Sequence, residues 1–142
     1  MTEARARSEV SFLDDFFAND PQAAGCIRCR EAAPFLRRLK MAFQPIVDIE
    51  ARTVFAYEAL VRGAEGEPAG QVIADVPADQ LYTFDQTCRV LAIATAQRLG
   101  MDCVLSINFL PNAVYEPATC IRLTLAAAER VGFPTARLLF EL

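Results

Sequence analysis

The sequence contains no histidine. That absence excludes Ser-His-Asp and Cys-His nucleophilic schemes, and it requires any metal site to be built from oxygen or sulfur donors. No apolar run approaches the roughly 20 residues a membrane span needs. Residues Met1 to Glu9 mix acids and bases and lead into no apolar h-region, so neither a signal peptide nor a membrane partner is expected. Bases are outnumbered by acids, 14 to 18. The net charge of -4 and pI near 4.8 argue against binding of DNA or RNA polymers. A small anionic ligand stays open, because a bound metal ion can invert the local field. There is no internal repeat and no low-complexity segment. The five cysteines are an odd number, and Cys88, Cys103 and Cys120 sit in apolar surroundings. This reads as reduced thiols in a cytoplasmic protein.

What is present is the balance of a globular domain: 142 residues, 54% hydrophobic and 23% charged. Val10, Leu13, Phe16 and Phe17 have helical spacing, ended by Asn19-Asp20-Pro21. A second short helical stretch is predicted over Glu31 to Lys40. From Met41 on, strand and helix signals alternate. Strands are predicted at Met41–Val47 (interrupted by Gln44-Pro45), Thr53–Val61, Cys103–Leu110 and Arg137–Leu142. Between them lie a glycine-rich loop from Gly63 to Gly70, a short helix near Gln71–Asp75, and two longer helices. The first of these carries a Thr83-x-x-Gln86 capping-box pattern and stops at Gly100. The second opens at Glu116-Pro117, buries Ile121, Leu125 and Ala128, and stops at Gly132. Such alternation implies βαβ units and a mostly parallel sheet. It does not choose between a doubly wound sheet and a β/α barrel.

Three of the strands each hold one polar residue out of place: Glu58, Asn108 and Glu141, all late in their strands. By strand alternation, Glu58 shares a face with Val54 and Ala56, Asn108 with Val104 and Ser106, and Glu141 with Leu139. In a β/α barrel that depth is the C-terminal rim, where active sites sit. Taken singly, each is more simply an edge position or a satisfied buried polar group. Three at one depth in successive strands point to a shared site. Two carboxylates and an amide oxygen suit a hard cation such as Mg²⁺ or Mn²⁺.

Four blocks then occur in order: Gln44-Pro45-Ile46-Val47-Asp48, Tyr57-Glu58-Ala59-Leu60-Val61-Arg62, Ser106-Ile107-Asn108-Phe109-Leu110-Pro111 and Leu139-Phe140-Glu141-Leu142. From Met41 to Leu142 the chain resembles the opening part of the EAL family of cyclic-di-GMP phosphodiesterases, with Glu58-Ala59-Leu60 as the signature tripeptide. The resemblance implies a modified β/α barrel in which one strand runs against the others. It implies a two-metal site at the C-terminal rim that hydrolyses cyclic di-GMP to linear pGpG. Carried over by position, Glu58, Asn108 and Glu141 resemble metal ligands, and Gln44, Leu60 and Arg62 resemble contacts to the dinucleotide. Relatives of this kind often pair, which makes a homodimer an expectation.

The family pattern continues beyond Glu141 with an Asp-Asp pair, a lysine, a further glutamate and a glutamine that have no counterpart here. A β/α barrel takes roughly 250 residues. The expectation is therefore an N-terminal extension over residues 1–40 followed by a truncated EAL domain over 41–142. This chain alone is expected to be inactive. The alternative is a catalytically silent EAL remnant that acts as a binding or protein-interaction module. In the extension, Cys26-Ile27-Arg28-Cys29 reads as two reduced thiols in a linker, as half of a zinc site, or as a redox pair.

Overall fold

In the computed structural model, residues 12–19, 38–111 and 117–142 are described, with backbone alone for residues 117–120. Cys26 and Cys29 fall outside these residues, as does the helical stretch expected from residue 31 as far as residue 37. Lys40, its expected last residue, instead opens a strand.

The described residues form four strands and four α-helices, with short 3-10 turns at Ala78–Gln80 and Thr135–Arg137. Helix α1 covers residues 12–19. Strands β1 (Lys40–Asp48) and β2 (Thr53–Arg62) follow, then helices α2 (Ala69–Ala74) and α3 (Leu81–Arg98), strand β3 (Val104–Asn108), helix α4 (Pro117–Val131) and strand β4 (Leu138–Glu141). The sheet order is β1-β2-β3-β4. Strand β1 is antiparallel to β2, whereas β2, β3 and β4 run parallel. The one reversed strand is the feature expected of the barrel.

The β1–β2 connection is a tight turn. The Asp48 carboxylate accepts the Ala51 N–H at 2.9 Å, and Arg52 takes a positive φ of 54°. Strand β1 is not interrupted at Gln44-Pro45. Proline lacks the N–H of a ladder donor, but β1 pairs on one side only among the described residues, and an edge strand tolerates the loss.

Helices α3 and α4 both end in a Schellman motif. Gly100 and Gly132 adopt φ of 69° and 78°. Their N–H groups bond Gln97 and Glu129, and the next residues, Met101 and Phe133, reach back to Ala96 and Ala128. The start of α3 differs from expectation. The helix begins at Leu81 with Gln80 before it and no side-chain cap, so Thr83 and Gln86 lie buried inside the helix instead of capping it. Packing on both sides of α3 overrides the local signal. In α4 the buried stripe is Leu123, Thr124, Ala127 and Ala128, with Ile121 exposed. Of the expected stripe Ala128 is buried, Leu125 half-buried and only Ile121 exposed, because α4 turns its Thr124 side to α3.

The core lies on one face of the sheet. Phe16, Phe84, Leu91 and Leu123 pack together under α1, α3 and α4. Ile93, Leu105, Ile107, Ala128 and Phe133 form a second cluster between α3, α4 and the strands.

Candidate functional site

Register places the sequence-selected residues on the other face. Gln44 stands opposite Glu58 across β1–β2. Glu58 pairs with Ser106, and Asn108 pairs with Glu141. Paired residues point to the same side, so Gln44, Glu58, Leu60, Ser106, Asn108 and Glu141 share one face, opposite that of Ala59, Ile107 and Phe140. Leu60, Asn108 and Glu141 lie toward the C-terminal ends of the parallel strands, with Glu58 and Ser106 just before them.

Contacts among them are direct. Asn108 Nδ2 donates to Glu58 Oε1 at 2.9 Å, across fifty residues of sequence. Ser106 Oγ donates to Glu141 Oε1. Ser106 is fully buried, Glu58 and Glu141 are half-buried, and Asn108 is exposed at the strand end. Sequence reading set Ser106 on this face but gave it no role. Its serine hydroxyl in an otherwise aliphatic strand was the available signal.

Arg62 and Gln44 stand further out. Arg62 closes β2 four residues past Glu58, about 13 Å along the strand at its usual rise. Its Nη1 donates to the Val61 carbonyl at 2.8 Å. Gln44 is exposed on β1.

Behind the rim, α3 contributes a buried ion pair that sequence reading missed. Arg89 is fully buried and pairs with Asp85 one turn earlier. Its Nε donates to Thr124 Oγ1 at 3.0 Å, and its guanidinium lies 3.9 Å from the Phe109 ring centre. Burial raises the Asp85 carboxyl above the ordinary carboxylate value, opposed by the Arg89 charge and by the Leu110 N–H. Burial, followed by the negative field of Asp85, also pushes the Cys88 thiol far up, so it is a neutral thiol at physiological pH. A cavity of about 240 Å³ lies between this pair and the strand ends, bordered by Leu60, Asn108, Asp85 and Cys88.

The donor set at the rim fits a hard divalent cation: two carboxylates and an amide oxygen, with no thiol on that face. Asn108 directs its N–H to Glu58, which leaves its carbonyl oxygen for other use. Among the described residues, no three Asp, Glu, Cys or His side chains converge on one point. Two carboxylates and one amide oxygen do not by themselves fill the coordination shell of such a cation. No helix among the described residues is long and apolar enough to cross a membrane.

A sequence model of the EAL domain family matches residues 30–142. The chain is similar to a standalone versatile EAL protein from Vibrio cholerae O395 in its c-di-GMP bound form. Identity is 52% and the TM-score 0.71, over 77% of this chain and 45% of that one. It is also similar to Klebsiella pneumoniae BlrP1 in a manganese/cyclic-di-GMP complex, with 27% identity and a TM-score of 0.67, over 72% of this chain and 26% of BlrP1. The blue light- and temperature-regulated antirepressor BluF of Escherichia coli (strain K12) is 37% identical over 78 residues, 54% of this chain and 19% of BluF. The chain spans less than half the length of each of these relatives. The likeness extends to the fold, a mixed α/β arrangement of the β/α-barrel kind.

Proposed function

The chain belongs to the EAL domain family, and from that membership we propose that it forms part of a cyclic-di-GMP-specific phosphodiesterase, which opens the cyclic dinucleotide to linear pGpG. The observation that carries this reading is the convergence of Glu58, Asn108 and Glu141 on one face at the strand ends, with Asn108 bonded to Glu58. Support also comes from the relatives solved with cyclic di-GMP, one of them with manganese.

In this reading Glu58, Asn108 and Glu141 hold Mg²⁺ or Mn²⁺, and the remaining donors come from outside the described residues. The bound cations supply water activation and charge stabilisation for an in-line phosphoryl displacement. The chain's own residues prepare the site. Asn108 fixes one Glu58 oxygen, and Ser106 fixes one Glu141 oxygen, so each carboxylate presents its other oxygen in a set direction. Leu60 offers an apolar wall beside the acids. Arg62, whose fork matches a phosphate, and Gln44 receive the dinucleotide. We take the domain as residues 41–142, with residues 1–40 as an extension.

A second reading is a regulatory module that binds without turnover. What favours it is that one relative, BluF, is an antirepressor. The intact set of Glu58, Asn108 and Glu141 favours the first reading.

Titration calorimetry of the chain with cyclic di-GMP and Mn²⁺ tests the site. Metal-dependent binding is expected, weakened at least about 10-fold by Glu58→Ala, as loss of a charged ligand dictates. Binding that ignores metal and tolerates Glu58→Ala would remove the proposal. Formation of pGpG by an EAL protein that carries this chain then separates the two readings. The 142-residue chain alone is expected to bind and not to turn over.

A further inference from the structure

Strand β3 ends at Asn108, so the residue that would hold metal is the last one secured by ladder pairing. The two residues after it are held by other means. The Phe109 N–H donates to the Glu141 carbonyl at 2.8 Å, and its ring meets Phe140 edge-on with centres 5.1 Å apart. The Arg89 guanidinium lies over that ring, 3.9 Å from its centre. The Leu110 N–H, which has left the ladder, donates to Asp85 Oδ1 at 3.0 Å. One buried ion pair on α3 therefore grips both residues that follow Asn108, and one of those two is bonded to the backbone of Glu141.

We propose that Asp85 and Arg89 are positioning residues for the rim, clamping Phe109 and Leu110 so that the Asn108 side chain stays against Glu58 and in register with Glu141. The inference rests on the metal-site reading of those three residues for its relevance to catalysis. Asp85 shares a cavity wall with Asn108 but acts on it through Leu110, since α3 packs on the opposite face of the sheet.

The chemistry of the pair supports this role over plain stabilisation. Two desolvated charges recover little net energy, and apolar replacements of similar volume are often neutral or stabilising. Among the described residues, Arg89 Nη2 finds no hydrogen-bond partner. The geometry of the pair is specific: a planar cation stacked on Phe109 and bonded to Thr124, and a carboxylate with one oxygen for Arg89 and the other for Leu110.

The test uses the full chain and the double variant Asp85→Leu/Arg89→Met, which removes the clamp and keeps the core filled. The readouts are the melting curve, the Asn108 side-chain amide resonances by ¹⁵N NMR, and Mn²⁺ titration. The double variant is expected to stay folded, to lose the separated amide proton signals that a fixed Asn108–Glu58 bond gives, and to bind Mn²⁺ about 10-fold more weakly, the size typical of support lost behind a ligand. Phe109→Leu removes the stacked ring with less disturbance. It is expected to mobilise the Asn108 amide in the same sense, and it serves if the double variant does not fold. Asp85→Asn, which still offers an acceptor to Leu110, should retain more of the amide signature than Asp85→Ala. A folded double variant or Phe109→Leu protein with unchanged Asn108 amide signals would overturn the clamp. Failure of the unaltered chain to bind Mn²⁺ would instead overturn the metal reading, while the amide readout would still decide the clamp.

Discussion

Ser106 shows how a small residue governs a larger one. Its hydroxyl is fully buried and spends its proton on Glu141, which leaves that carboxylate one free direction. Removing the hydroxyl should leave the fold intact and loosen the carboxylate. Ser106→Ala is expected to weaken Mn²⁺ binding by about 10-fold in calorimetry, within the range for partners of metal ligands, with little change in melting temperature. At this scale the sequence was informative where chemistry clashed with surroundings. Glu58, Asn108 and Glu141 stood out because each is polar in an aliphatic strand. Asp85 and Arg89 did not, because acids and bases four apart on a helix normally describe a solvated face. Only tertiary packing turned that face inward.

At the scale of elements, the glycine stops were legible and the start of α3 was not. Gly100 and Gly132 need the left-handed backbone, a local demand readable in sequence. Thr83 and Gln86 obeyed a local pattern that burial on both sides of α3 overruled. Helix α1 shows the reverse case. Its Leu13, Phe16 and Phe17 had helical spacing, and they pack into the core with Phe84 and Leu91. Outside the core, Arg130 of α4 pairs with Asp15 of α1. That pair is partly exposed and contributes little. The apolar contacts carry the attachment. Phe16→Ala should therefore destabilise the protein by about 3–5 kcal/mol, measured by urea unfolding, since Phe16 is completely buried.

For the molecule as a whole, the expected barrel order appears in the reversed first strand and the parallel remainder. Alternation of strands and helices conveyed the layers. It could not convey which face of the sheet the helices cover, because that depends on contacts between distant elements. One consequence concerns pH. The Asp85 carboxyl is raised above its ordinary value of 3.8, chiefly by burial. Below that value both folded and unfolded chains are protonated and Asp85 carries no penalty. As pH rises from there through the elevated folded value, the folded chain holds its proton longer than the unfolded one, so stability from this group falls. Asp85→Asn removes that slope. Urea unfolding from about pH 4 to about pH 7 should show the variant gaining on the unaltered chain as pH rises.

The reversed first strand also sets the order in which the molecule comes together. Strands β1 and β2 meet through a turn of a few residues, a closure of the kind that takes about 1–10 microseconds. Strands β3 and β4 join only after long crossovers through α3 and α4, whose loop closure is costly before any contact rewards it. Gln44 and Glu58 therefore become neighbours early, on a hairpin that forms by itself. Asn108 and Glu141 depend on the longer connections through α3 and α4, and are expected to join later. The rim thus joins a short-range pair to two long-range ones.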